Sequence, residues 1–493
     1  MYLLGIDLGS SFVKASVFDG TIGNCIGAGS APDREMEIRS IKPGWAEQDL
    51  EVWWTNTKAA INSACAKAHI SGKDIKAIGI SYQMHGLVVL DKNNTPLRHA
   101  IIWCDSRAVE IGNKAFNDIG HEACLNRMLN SPGNFTASKL RWVKENEPDV
   151  FKSINKICLP GDYIALRLTG SLSTTATGLS EGIMWDFTEN KPAFMLLDHY
   201  GIPHSFLPDI THVFGDQGHV SGKTASELGF SAGIPVTYRA GDQPNNAFSL
   251  NVLEPGEAAA TAGTSGVIYG VTDTIKVDAA SRVNAFAHVN HSALKNRMGV
   301  LLCVNGTGIA NSWIKKMLGS SISYNKMNEM AGQAAIGSDG LIVLPFGNGA
   351  ERMLENREVG ATINGLQFNR HSRDHLCRAV QEGVAFALVY GIGILRSIGA
   401  GVTRIRAGRA NMFLSPVFQS AIAGAANIPV ELYNTDGAQG AARGAGVGAG
   451  FYSNKDAFSG LTLLETIEPT KTTQGEYFEA YRNWVKALEK HIS

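Results

Sequence analysis

Two stretches of this chain share one pattern. Residues 9–19 read GSSFVKASVFD and residues 263–273 read GTSGVIYGVTD. At one constant offset Gly9 meets Gly263, Ser11 meets Ser265, Val13 meets Val267, Val17 meets Val271 and Asp19 meets Asp273. Each copy follows a run of apolar or small residues, LLGIDL or AAATA, and continues with alternating apolar residues. The pattern predicts a strand, a tight turn of glycine and hydroxyl residues, and a second strand. Such a turn points backbone N–H groups and hydroxyls inward, where phosphate oxygens can be received. One hairpin alone carries little weight, because Gly-Ser and Gly-Thr turns commonly join strands. Two at matched spacing favour a duplicated α/β domain with a nucleotide held between the copies.

A chain of 493 residues exceeds one ordinary core and calls for two or three domains. Turn residues cluster in RAGDQPNN and EPG, between 240 and 256, just before the second copy. A cut there gives domains of residues 1–244 and 245–493. Elsewhere the chain alternates as α/β folds do. Residues 49–69 predict a helix, 75–81 and 87–90 strands, 340–346 another strand, and 371–395 a long buried helix. Its most apolar stretch, Val384 to Leu395, is 12 residues with two glycines, too short to cross a bilayer.

Charge narrows the partners. Lys and Arg number 44 against 45 Asp and Glu, a net charge of −1. No basic excess exists to hold nucleic acid or an anionic membrane, so a small molecule is the expected partner. A homodimer is compatible with these counts. The seven cysteines are scattered, with no CxxC pair, which predicts reduced thiols and a cytoplasmic setting. The opening MYLLGIDLGSS lacks a basic lead and carries Asp7 in its apolar run, unlike a signal peptide.

Three glycine motifs fail on inspection. GHVSGKT (218–224) ends like a phosphate-binding loop but separates its glycines by three residues instead of four. GAGVGA (444–449) lies in a Gly/Ala run better explained by helix packing, and lacks the acidic residue about twenty positions on. NGTGIA (305–310) shares that weakness.

Phosphoryl transfer to an alcohol needs positioning, charge neutralisation and a base for the hydroxyl proton. Asp242, in RAGDQPNNA, is the best base candidate, flanked by Gly241 and by the amides Gln243, Asn245 and Asn246, which could hold sugar hydroxyls. Asp, Pro and Asn also favour plain surface turns. Asp7 interrupts an apolar run just before the first turn, where a carboxylate needs a cation or donors. Magnesium on ATP phosphates would serve. Gln83, Met84 and His85 end a strand and could line a polyol pocket. Asp105 and Arg107, in WCDSR, fit the same cleft or a simple ion pair.

Taken in order, GIDLGSSFVK, PGWAEQD, QMHG, IIWCDSR, LPGDYIALRLTG, AGDQPNNA, AGTSGV, a long apolar helix and DGAQGAARGAG resemble the FGGY family of carbohydrate kinases, over residues 1 to about 451. Within it the series is nearest to kinases of ketopentoses such as xylulose. The resemblance implies two ribonuclease-H-like α/β domains closing on a cleft, and ATP-dependent conversion of D-xylulose to D-xylulose 5-phosphate. Asp242 would be the catalytic base. Asp7 would be the acidic residue associated with the magnesium-nucleotide, in a first phosphate turn of Gly9, Ser10, Ser11 and Lys14. Met84 and His85 match the substrate pair, with Gln83 and Gln243 beside it. Gly263, Thr264 and Ser265 match the second phosphate turn, and Gly308 a nucleotide-contacting glycine.

Three features depart from the family pattern. Ser10 stands where threonine is usual. Asp242 is followed by Gln243, as in glycerol kinases. RAGRANMFLSP (406–416) replaces a glycine-rich segment near the adenine; its ANMFL resembles the corresponding stretch of glycerol kinases, and that likeness assigns Gly408 and Asn411 to adenosine. QMHG still favours a pentulose over glycerol. Other polyols and ketoses (ribulose, gluconate, glycerol) remain alternatives, as does a non-catalytic sugar sensor, though a sensor needs neither Asp7 nor Asp242.

Overall fold

Leu4, Ile6 and Leu8 alternate with Leu3, Gly5 and Asp7 along the strand Tyr2–Leu8, and both faces of that strand are covered. The computed structural model describes residues 1–274, 277–319 and 321–493. The chain divides into two compact units. The first comprises 1–251, 286–296 and 435–461, and the second 252–285, 297–434 and 462–493. The sequence suggests a single cut after residue 244, whereas residues 435–461 return to the first unit. Their helix, Gly437–Gly448, is needed there to cover a sheet face.

The first unit is built on a five-stranded sheet in the order Val236–Gly241, Ile75–Tyr82, Tyr2–Leu8, Val13–Asp19, Asn24–Ala31. Tyr2–Leu8 pairs antiparallel with Val13–Asp19 and parallel with Ile75–Tyr82. Leu4, Ile6 and Leu8 join Trp53, Trp54 and Ile61 of helix Leu50–Ala68 in one buried cluster. Each fully buried side chain of this kind contributes about 1.5–3 kcal/mol. Leu3 and Ala77, on the other face, meet Ala442 and Ala445 of helix Gly437–Gly448. That helix lies directly on the strands: a Cβ at Gly5 would sit 1.8 Å from the Ala438 carbonyl oxygen, and one at Gly79 2.0 Å from that of Ala441. Within GAGVGA, a Cβ at Gly448 would sit 1.8 Å from the Thr237 carbonyl oxygen, so this run too lets the helix backbone approach the sheet.

The second unit repeats the plan in a seven-stranded sheet: Asn284–Ala287, Met298–Val304, Gly266–Thr272, Glu257–Ala262, Arg404–Gly408, Val430–Tyr433, Leu463–Ile467. Glu257–Ala262 pairs antiparallel with Gly266–Thr272 and parallel with Arg404–Gly408, as Tyr2–Leu8 does with its own neighbours. The sequence echo thus reports a duplicated sheet topology.

Helix Arg373–Ser397 is 25 residues, twice the apolar stretch used above to judge its length, and its length and composition would suit a membrane span. It is a core helix instead, with 89% of its most apolar window buried in the protein. RAGDQPNN also differs from the expected loop: the strand ends at Gly241 and helix Asp242–Ser249 begins at once. Pro244 is tolerated there because the first turn of a helix has no intrahelical use for its N–H groups.

Candidate active site

In the first unit the sheet register gathers the predicted residues. Leu8 pairs with Tyr82, and Tyr82 with Gly241, so three adjacent strands end level. The carboxyl ends of parallel strands are where open α/β sheets bind ligands. Asp7 and Gly9, then Gln83 to His85, then Asp242 follow from those ends.

Asp7 accepts a 2.8 Å hydrogen bond from the Ser81 hydroxyl and lies opposite Lys14 across the hairpin. Its other oxygen faces Gly437, where a Cβ would come within 2.5 Å of Oδ2. Loss of water raises its pKa above the usual carboxylate range; Ser81 and Lys14 oppose that, and Asp436 adds to it. Asp436 caps helix Gly437–Gly448, its carboxylate accepting from the Gln439 N–H at 2.9 Å. Asp242 is pushed up to about 7, first by burial and then by the like charge of Asp7, with Gln243 pulling it back. A base poised near neutrality suits proton abstraction at physiological pH. It is partly buried on a helix, not a surface turn.

Gln83 donates its backbone N–H to the Leu8 carbonyl at 2.7 Å and its amide to Gln48 Oε1 at 3.1 Å. Gln48 Nε2 in turn donates to the Ser10 carbonyl at 2.7 Å, so a buried amide pair ties the sugar-side turn to the first phosphate turn. Met84 is buried against Gly241, whose absent Cβ would lie 2.6 Å from Met84 Cγ. His85 Nδ1 is 2.8 Å from the Glu181 carbonyl oxygen, and its ring meets Phe135 edge-on at 4.8 Å. Gly9 closes the first turn by donating to the Phe12 carbonyl at 3.0 Å, with Ser10 and Ser11 partly exposed and Lys14 exposed.

Asn245 serves the fold: it is fully buried and donates to the Gly437 carbonyl at 2.8 Å. Asp105 and Arg107 also fall on the structural side. Arg107 clamps Asp105 at 2.6 Å and stacks over Trp45 at 3.9 Å, both charges being buried. GHVSGKT forms a short helix capped by Ser221, with the Thr224 hydroxyl donating to the Arg167 carbonyl.

Sequence reasoning missed Glu181 and Gln48. Glu181 is fully buried, and its Oε2 would lie 2.4 Å from a Gly241 Cβ. Burial, then Asp242, then Asp162, push its pKa well above the usual range. An acid inside GLSEGIMW was the available signal.

In the second unit the turn Gly263–Ser265 supports a helix. Gly308 donates to the Gly263 carbonyl at 2.9 Å and Ile309 to that of Thr264 at 3.2 Å, docking the N-terminus of Gly308–Leu318 on the turn. A cavity of about 430 Å³ opens beside them, lined by Gly263, Thr264, Gly308, Asn411 and a set of unpredicted polar groups, Asn311, Asn328, Gln381 and Ser415. Ser415 donates to Gln381 Oε1 at 2.6 Å and Gln381 Nε2 to Asn328 at 2.9 Å, fixing the amide orientations. Asn411 takes a left-handed conformation, φ 52°. Gly408, at its strand end, and Ser265 are not among the residues of this cavity wall. Helix N-termini and glycine turns suit phosphate, and an amide-lined cavity suits a nucleobase.

Among the described residues no cluster of three His, Cys, Asp or Glu side chains could hold a metal ion. A magnesium ion fits Asp7 only as a phosphate-borne ion that keeps most of its oxygen ligands from nucleotide and water.

The N-terminal domain of the FGGY family of carbohydrate kinases matches residues 2–249. The xylulose kinase of Haemophilus influenzae is 31% identical over 82% of this chain and 82% of that protein. That of Bacillus subtilis is 27% identical over 98% of this chain and 96% of its own length. The crystal structure of a xyloylose kinase from Brucella ovis superposes with a TM-score of 0.89 at 28% identity, covering 99% of each chain. With half its length matched by the domain and a relative above 30% identity, the chain belongs to the FGGY family of carbohydrate kinases.

Proposed function

We propose that this kinase phosphorylates a ketopentose, D-xylulose, at its 5-hydroxyl. The observation that carries the reading is Asp242, a carboxyl near pKa 7 level with the Gln83–Met84–His85 turn. Its support in substrate choice is that the relatives named above are xylulose kinases.

Asp242 takes the proton of the acceptor hydroxyl as its oxygen attacks the γ-phosphorus of ATP. The bond from that phosphorus to the β,γ-bridging oxygen breaks, and ADP leaves with the electron pair. Gln83, Met84, His85 and Gln243 hold the sugar. Gly9, Ser10, Ser11 and Lys14 receive phosphate in the first unit. Gly263, Thr264, Ser265 and Gly308 do so in the second, with Asn411 and Gly408 toward adenosine. Mg2+ bound with the nucleotide would be held through Asp7 and would neutralise phosphate charge. The scattered cysteines, with no CxxC pair, support a reducing, cytoplasmic setting.

ADP release measured across a panel of ketoses and polyols tests this. Turnover that depends on D-xylulose supports it. Preference for glycerol, gluconate or ribulose would replace the substrate, and sugar-independent turnover would replace the kinase reading with an ATPase.

A further inference from the structure

The turn that carries Met84 and His85 is held in an unfavourable backbone shape. His85 has φ 61°, a left-handed conformation that side chains other than glycine rarely adopt. Such strain persists only where surrounding groups over-determine it, and it concentrates at functional sites. Beside the contact of His85 Nδ1 with the Glu181 carbonyl, much of the grip comes from one helix start. Phe135 places its ring edge-on to the His85 ring, the hydroxyl of Thr136 donates to the Gly86 carbonyl at 3.3 Å, and Lys139 donates to the His85 carbonyl at 3.0 Å. Lys139 also donates to the Ile102 carbonyl at 2.9 Å, tying the turn to the next segment.

Lys139 is wholly buried in helix Thr136–Asn146. Its neighbours explain why the charge is not absorbed by an ordinary ion pair. Asp105, which favours its charged form, is already clamped by Arg107 and accepts the Ala46 N–H at 2.6 Å. Arg107 opposes the charge. Burial lowers the ammonium to about 8, so the group is largely charged near neutrality and points its protons at two carbonyls. An ammonium left in the interior for packing alone is a poor choice, since an apolar chain of the same length would cost less desolvation. Two aimed carbonyls give it another task.

We propose that Lys139 is a positioning residue for sugar recognition: by holding the His85 carbonyl it fixes the left-handed turn that presents Met84 and His85 to the sugar. The inference rests on the reading of that turn as the sugar site. It does not make Lys139 a group that touches substrate.

The test is steady-state kinetics of K139M, K139Q and H85A, alone and combined, with the fold checked by thermal melting. The expected result for K139M is a KM for the sugar raised about tenfold, with the KM for ATP and kcat within about twofold. K139Q, which keeps a donor on a shorter chain, should fall between wild type and K139M, and it carries the test if K139M does not fold. In the H85A background either Lys139 substitution should raise the sugar KM by a smaller factor than in wild type, because the imidazole whose placement it fixes is gone while the backbone carbonyl and Met84 remain. Parallel loss in both KM values and kcat, or an undiminished effect in H85A, would overturn the inference. H85A with an unchanged sugar KM would remove the sugar-site reading and the inference together, whereas a raised KM in H85A with both Lys139 variants silent would overturn the inference alone.

Discussion

The two hairpins share a sheet topology and a glycine-hydroxyl turn, yet they are equipped for different work. The first carries a carboxylate, Asp7, opposite Lys14. The second has Thr261 at the position equivalent to Asp7 and docks instead on the N-terminus of helix Gly308–Leu318. Duplication therefore supplied a common glycine-hydroxyl bend, and side-chain divergence set the two copies apart. The copy with the acid ends level with the strand that leads into Asp242, across strand 75–82, where the proposed function would have proton transfer and metal-borne charge handled. The neutral copy sits beside an amide-lined cavity, where the proposed function would have a nucleotide held by backbone and dipoles. What is inherited is geometry; what is specialised is charge.

The largest break in this comparison is D242N. Removing the base should lower kcat by roughly 10²- to 10⁴-fold, with nucleotide affinity by calorimetry unchanged. Weak ATP binding in this variant would contradict the division of labour. The wild-type kcat/KM should fall on the acid side of about pH 7, where Asp242 becomes protonated and can no longer accept the hydroxyl proton.

D7N comes next, with a loss of roughly a hundredfold, the scale of a few kcal/mol of charge stabilisation. The like charge of Asp7 raises Asp242, so its removal should move the acid limb of the pH profile to lower pH. The counterpart in the second hairpin, T261V, should change kcat less than about threefold. Equal losses from D7N and T261V would erase the contrast between the copies.

G308A tests the neutral copy. Its Cβ would meet the Gly263 carbonyl oxygen at 2.2 Å, so the helix start must shift off the turn. The expected outcome is a KM for ATP raised about tenfold, with the sugar KM unchanged. Smallest is E181Q. Burial and the charges of Asp242 and Asp162 push Glu181 toward its neutral form, so a neutral amide of the same shape should alter kcat less than about threefold. An acid-side shift of the pH profile in E181Q would mean Glu181 is ionised and raises Asp242 itself.

Much of the candidate site is legible in the sequence. The echo at residues 9 and 263 marked both bends, Asp7 stood out as a carboxylate in an apolar run, and the ordered motifs singled out Asp242. Glu181 and Gln48 were invisible as site residues because nothing local distinguishes them. They matter through partners far along the chain, Gly241 and Gln83. RAGDQPNN misled in detail, since Pro and Asn read as a loop but also suit the first turn of a helix.

By itself the sequence determined the periodic features: which segments become strands and helices, where glycine permits a bend or a close helix, and that two copies of one plan are present. These depend on neighbours within a few residues. Only the tertiary structure decided that strands 2–8, 75–82 and 236–241 end level, that residues 435–461 rejoin the first unit, and that Asp242 is lifted to about 7. Register, burial and charge coupling depend on groups hundreds of residues apart, and no local pattern encodes the distance between them.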